Sequence, residues 1–246
     1  MILLIMDTLS ERQTQILKVL IEEYIDTAEP VGSVTLEKKY DLGVSPATIR
    51  NETAALDAAG YLKQPHTSAG RIPTSKALQL YVKELMQTQD MSVADEISIK
   101  EKIWDSRHQS DKMLRNLTRA LAAATNTLSV IAVEDGNLYY SGAGNVLNMP
   151  EFYDIDITRN LLLMLDEFER WDDVFSQMGE EGTRIFIGPE LKDEIFNPYS
   201  FIFAPVQLSQ GRKIYIGVVG PRRLQYRKLV PTVDYCARLL GEVASW

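Results

Sequence analysis

Cysteine and histidine are scarce in this sequence, with one Cys and two His among 246 residues. A lone Cys236 excludes an internal disulfide, and without a Cys/His cluster the usual structural zinc sites are excluded as well. No metal and no cofactor are expected. Long apolar runs are also missing: nothing approaches the roughly 18 unbroken apolar residues of a membrane-spanning helix. The apolar start Met1–Met6 is too short to cross a bilayer and lacks the basic flank and small-residue cleavage site of a signal peptide. The expectation is a cytoplasmic chain with no membrane partner. Repeats and low-complexity tracts are absent, and 45% apolar with 24% charged residues is the balance of a folded chain, not a disordered one.

Catalytic signatures are lacking too. There is no nucleophile elbow, P-loop, HExxH or dinucleotide fingerprint. Gly142-Ala143-Gly144 has no third glycine and reads as a loop. Asp172-Asp173 and Glu180-Glu181 are adjacent pairs whose side chains diverge on a helix, so they read as solvated faces. The chain is not expected to be an enzyme.

The net charge is −8, which by itself discourages a polyanionic partner; its distribution matters more. Residues 1–88 carry nine basic and eleven acidic side chains, and residues 89–246 carry seventeen and twenty-three. Within the first part, residues 7–43 stand at −4 and residues 44–83 at +3. A small positive segment inside an acidic chain fits a nucleic-acid footprint.

Two domains are expected, 1–88 and 89–246, of α+β class. Ser10-Glu11-Arg12-Gln13 has capping-box spacing, and Ile16, Leu17, Leu20, Ile21, Tyr24 and Ile25 follow at helical spacing. Gly32-Ser33 opens a short helix marked by Val34, Leu36 and Tyr40. Ser45-Pro46 opens a third through Ile49, Thr53 and Leu56, stopping at Gly60. Tyr61–Gln64 and Ile72–Thr74 then flank turn chemistry and form a hairpin. A further helix starts near Thr74 or Ser75. Three helices and a hairpin make a winged helix-turn-helix, whose third helix enters the major groove.

Residues 87–93 form a polar connector. Residues 94–127 are helical, broken near 108–111, with Leu114, Leu117, Leu121, Ala124 and Leu128 as a seam for its own domain or for a partner chain. Strands are expected at 127–133 and 137–141 around Asp135-Gly136, at 184–188, at 199–208 and at 213–219. One helix is expected over 158–178 and another over 224–243. The sheet is mainly antiparallel.

On the third helix, Ala47, Thr48, Arg50, Asn51 and Ala54 lie off the apolar stripe. Small residues permit close approach to a duplex, while Arg pairs with guanine and Asn with adenine in bidentate fashion. In the wing, His66, Thr67, Ser68 and Arg71 surround Gly70; the hydroxyls suit phosphates and Arg71 suits a minor groove. Lys63 and Lys76 read as nonspecific phosphate contacts or plain solvated charges. An ordinary polar helix and a surface hairpin are the competing readings.

The segments Leu9–Gln13, Glu29–Ser33, Ser45–Asn51 and Gly60–Thr74 closely resemble the heat-inducible transcription repressor HrcA family. The likeness resumes at Gly142–Phe152 and Gly217–Tyr226. It implies a winged helix followed by a GAF-like domain, in a dimeric repressor that binds an inverted-repeat operator of CIRCE type upstream of chaperone genes. It also implies that the GroE chaperonin maintains the active form. Family members are longer and carry an inserted dimerising domain; here its place, between Val133 and Gly142, holds only a tight hairpin.

The resemblance and the residues together lead to a DNA-binding repressor of heat-shock genes. Thr48, Arg50 and Asn51 read bases, Lys63, His66, Thr67, Ser68 and Arg71 hold the wing on double-stranded DNA, and a homodimer matches the operator. A small-molecule sensor acting through the GAF-like domain is the alternative. A winged helix used only for protein contact is a third.

Overall fold

Ser10 opens the first helix with a reciprocal cap: its hydroxyl accepts the Gln13 N–H at 3.2 Å, and the Gln13 side chain accepts the Ser10 N–H at 3.0 Å. Two amides that the helix cannot satisfy internally thereby find partners. The computed structural model describes residues 9–180, 182–191, 193–208 and 213–244; the apolar start Met1–Met6 and Glu181 lie outside the described residues, as do the side chains of Asp172 and Asp173. The chain divides into two units, Met1–Met86 and Gln87–Trp246.

In the first unit, α1 (Glu11–Thr27) buries Ile16, Leu17, Leu20, Ile21 and Ile25 and ends on left-handed Ala28. α2 (Ser33–Lys39) buries Leu36, whereas Val34 faces solvent. Glu23 of α1 is buried, and it accepts hydrogen bonds from Lys39 Nζ at 2.6 Å and Tyr40 OH at 3.0 Å. These charge-assisted bonds tie the end of α2 to α1. Burial, together with the Glu23 carboxylate, pushes the Tyr40 hydroxyl pKa well up.

α3 (Pro46–Ala58) starts from Ser45, whose hydroxyl accepts the Thr48 N–H, and buries Ile49, Thr53 and Leu56. The chain leaves it through Gly60 at φ 77°, one residue beyond the cap, where a side chain would be strained. β1 (Leu62–Lys63) pairs antiparallel with β2 (Ile72–Pro73). Thr74 caps α4 (Ser75–Leu80), which widens into a π turn through Leu85.

The second unit is a five-stranded antiparallel sheet with helices on both faces. Its strands are β3 (Leu128–Val133), β4 (Leu138–Ser141), β5 (Arg184–Ile187), β6 (Tyr199–Gln207) and β7 (Lys213–Pro221), in the order β4-β3-β7-β6-β5. Register sets Val130 against Gly217 and Phe203 against Gly217, so Leu128, Val130, Phe201, Phe203 and Val219 share one face. That face packs on α8 (Ile155–Asp166) and α9 (Glu169–Phe175) through Leu161, Met164, Trp171 and Phe175. The opposite face carries α6 (Ser110–Thr125) and α10 (Tyr226–Ala244), and α5 (Val93–Trp104) lies against both helices. No helix among the described residues is long and apolar enough to cross a membrane.

Three local expectations are corrected. The single helix over 158–178 is two helices, because Glu167 turns extended (φ −117°, ψ 95°). The turn brings the Trp171 indole N–H onto the Met164 carbonyl at 2.6 Å and its ring edge onto Phe201 and Phe203. Gly142–Gly144 is not a plain loop: Gly142, at φ 86°, leads into a short helix α7 (Ala143–Val146). The Asn145 side chain there donates to the Thr127 carbonyl at 3.1 Å.

The α6 seam is shorter than its spacing suggests. Leu114, Leu117 and Leu121 are buried, Ala124 is exposed, and Leu128 belongs to β3. These leucines are spent inside their own unit, against α5, α10 and the sheet. Leu117→Ala should therefore destabilise the unit by about 2–5 kcal/mol, read by denaturant unfolding. An unchanged midpoint would mean that the leucine faces solvent or a partner instead.

Candidate nucleic-acid interface

The outer face of α3 is built from its own spacing. With Ile49, Thr53 and Leu56 turned inward, Ala47, Arg50, Asn51, Ala54 and Ala55 are exposed. Methyl groups flank Arg50 and Asn51, whose side chains are both exposed. Glu52 points elsewhere: its carboxylate lies 3.6 Å from the Arg12 guanidinium of α1 and is 21% exposed. Thr48 is half-buried, with its Oγ1 3.1 Å from Ser45 Oγ, so the hydroxyl belongs to the N-terminal cap.

The hairpin loop is pinned from within. Gln64 Nε2 donates to the carbonyls of Thr67 at 3.0 Å and Ala69 at 2.9 Å, and the Ala69 N–H donates to the His66 carbonyl at 2.9 Å. His66, Thr67 and Ser68 are exposed at the tip, where Ser68 Oγ lies 3.4 Å from His66 Nδ1. Lys63 is exposed on β1, while its neighbour Leu62 is buried.

Arg71 stands apart from these. Its N–H donates to the Val31 carbonyl and its carbonyl accepts the Val31 N–H, both at 2.9 Å. Its Nε lies 2.9 Å from Asp57 Oδ2 on α3, an ion pair whose N–H is not aimed along the contact. The base of the hairpin is thus fastened both to the α1–α2 connection and to α3. Lys76 has a comparable role: Nζ donates to the Ala59 carbonyl at the end of α3 at 3.0 Å and sits 4.0 Å from the Tyr61 ring centroid. A cation suits that helix terminus.

Arg50 and Asn51 therefore share one exposed face, and His66, Thr67 and Ser68 share the loop tip. Thr48 is diverted to a cap and Arg71 to an anchor. Sequence reasoning missed Gln64 and Asp57, whose partners lie three or more residues away across a loop or on another element. Both acids of the positive segment 44–83 are engaged by arginines, which leaves Arg50, Lys63, Lys76 and Lys83 as the segment's cations not paired with either acid. Cys236 of α10 is buried, and desolvation pushes its thiol up to about 12, so it holds no thiolate near neutrality.

Gly70 explains the close fit at the base of the hairpin. A Cβ there would lie 2.5 Å from the Val31 carbonyl carbon and oxygen and 2.8 Å from the Pro30 carbonyl carbon. Backbone cannot yield as a side-chain end can. Gly70→Ala should break the Val31–Arg71 bridge, lowering stability by about 1–3 kcal/mol and exposing the Arg71 amide to rapid hydrogen exchange. Unchanged melting and protection would show that the contact is dispensable.

Comparison with known proteins gives consistent matches. The profile of the family described as HrcA protein C terminal domain matches residues 72–230. The heat-inducible transcription repressor HrcA of Carboxydothermus hydrogenoformans is 30% identical over 336 aligned positions, covering 96% of this chain and 98% of the relative. Because that alignment is longer than the 246-residue chain, the relative carries residues with no counterpart here. The Clostridium botulinum protein of the same name is 44% identical over 131 residues, 53% of this chain and 38% of the relative. Among solved structures, the crystal structure of a hypothetical protein at 2.2 Å resolution superposes with a TM-score of 0.78 at 19% identity, covering 97% of this chain and 99% of that one. This last likeness concerns the fold.

Proposed function

Because the chain belongs to the heat-inducible transcription repressor HrcA family, we propose that it represses heat-shock (chaperone) genes by binding an inverted-repeat operator of CIRCE type as a dimer. Its relatives are named as transcription repressors, not enzymes. On this reading the first unit is a winged helix-turn-helix domain, with α3 as recognition helix and the β1–β2 hairpin as wing. The second is a GAF-like regulatory and dimerising domain. Leaving out the inserted domain of the longer relatives shifts the burden of dimerisation to this second unit, and the family resemblance makes the GroE chaperonin a partner that maintains the folded, active form.

One observation carries the reading: Arg50 and Asn51 project from a face otherwise made of alanine, while Glu52, the acid between them and the core, is turned into Arg12. A guanidinium and a carboxamide side by side can make bidentate contacts to guanine and adenine edges, and the alanines let the helix sink into the major groove. Thr48 contributes at the groove edge through the capped first turn. Lys63, His66, Thr67 and Ser68 meet the phosphate backbone, while Arg71 sets the position of the wing by holding Asp57. Two such helices read an inverted repeat when about 34 Å, or a multiple of it, separates them.

Anisotropy titration with an inverted-repeat duplex at several salt concentrations tests this. Arg50→Ala should weaken binding by roughly 1–3 kcal/mol and relax preference at one base pair, whereas Lys63→Ala should weaken all sequences alike and lower the salt slope by about one. Affinity that ignores both substitutions and salt overturns the proposal.

A further inference from the structure

The α5 helix has more apolar surface than its own unit covers. Ile99 and Ile103 are buried. Val93 at 70%, Ile97 at 51% and Trp104 at 40% exposure lie in solvent. At about 3.6 residues per turn, Val93, Ile97 and Trp104 fall along one line of the helix. Lys100 and Glu101 sit on opposite flanks of that line. Ile97, Lys100, Glu101, Trp104 and Asp105 together line an open groove of about 510 Å³. Lys100 Nζ and the Arg107 guanidinium lie 5.9 and 5.0 Å from the Trp104 ring, and Glu101 has no ion pair among the described residues.

We propose that this line is the dimer interface: α5 pairs with α5 of a second copy of this chain, side by side and parallel about a two-fold axis. Rotation about an axis parallel to the helices sets Ile97 against Ile97 and Trp104 against Trp104 of the second copy. It also carries each flank across to the other, so Lys100 meets Glu101 of the second copy and Glu101 meets its Lys100. An antiparallel pair would instead put lysine beside lysine and glutamate beside glutamate. At the level of Lys100 and Glu101, charge complementarity favours the parallel arrangement.

Chain direction agrees. Residues 87–92 lead from the first unit into the N-terminus of α5, so a parallel pair brings the two points of chain entry to the same end, an arrangement suited to two half-sites on one duplex. The proposal rests on the operator-binding reading in that respect. One helix pair buries less than the roughly 1,200 Å² of a standard stable interface, so the free dimer is expected to be of micromolar strength.

Sedimentation equilibrium of the full chain without DNA, up to several hundred micromolar, tests the pairing directly. The wild type should show a monomer–dimer equilibrium. Trp104→Glu should abolish it with an unchanged melting temperature, since the side chain is exposed in the monomer. Lys100→Glu and Glu101→Lys singly should each raise the dimer dissociation constant about tenfold, and the double exchange should restore it. A wild type that stays monomeric, a dimer that survives Trp104→Glu, or an exchange that fails to rescue overturns the inference. Titration of a single half-site keeps the two readings separate: Trp104→Glu should bind it as the wild type does. Loss of half-site binding in the wild type would condemn the DNA reading and leave the dimer result standing.

Discussion

Arg71 is held three ways, by two backbone hydrogen bonds to Val31 and by the Asp57 carboxylate, and the arrangement of the first unit depends on that junction. The two-residue strands β1 and β2 are too short to fix a hairpin alone; isolated ribbons of this size are marginal in water. What fixes it is the third rung, the Val31–Arg71 bridge, which joins the hairpin to the corner between α1 and α2. Only a residue without a side chain can precede Arg71, because the Val31 backbone occupies the space a Cβ would need. The ion pair then reaches from that corner to α3. The hairpin and α3 become parts of one body, as the proposed reading of a single stretch of duplex by both requires.

The same junction bears on charge. A chain of net −8 must present a face from which negative charge is removed if it is to approach phosphates. α3 contains two acids, Glu52 and Asp57, and each is occupied by an arginine, Arg12 and Arg71. Each pair is partly exposed, so its direct contribution to stability is small. Its consequence for the field is larger, because the carboxylates are offset where they stand and Arg50, Lys63, Lys76 and Lys83 remain as exposed cations of the segment. Arg71 is thereby an anchor within the first unit.

Much of this was legible in the sequence, for local reasons. Ser10, Ser45 and Thr74 announce helix starts because their hydroxyls must accept amides within three residues, and Gly60 announces a stop because its φ is positive. Long-range pairings left no such trace. The bond from Gln64 to Ala69, the grip of Asp57 on Arg71 and that of Lys76 on the end of α3 depend on loops folding back. The break between α8 and α9 was hidden for another reason. Leu161, Met164, Trp171 and Phe175 keep helical spacing straight through it, and the Trp171–Met164 hydrogen bond that rewards the bend is a tertiary contact. The α6 seam was ambiguous in principle, since the same spacing serves a core and a coiled coil. The sheet decides it by covering the leucines.

Covering α6 while leaving one line of α5 bare has a thermodynamic consequence. On the proposed pairing, a weak, self-complementary helix pair would keep most free chains monomeric at low concentration, yet on an inverted repeat the second copy would arrive next to the first at a high effective concentration. Pairing and half-site binding then reinforce each other, and neither is strong alone. Operator occupancy on such a scheme varies with nearly the square of the concentration of folded chain, so halving the folded pool lowers it about fourfold in the unsaturated range. That steepness would suit a repressor released by loss of its folded fraction. A tight preformed dimer would respond only in proportion. On the proposed pairing, the small exposed line on α5 would suit a steep switch better than a large interface, because the balance it set would lie where modest unfolding emptied the operator.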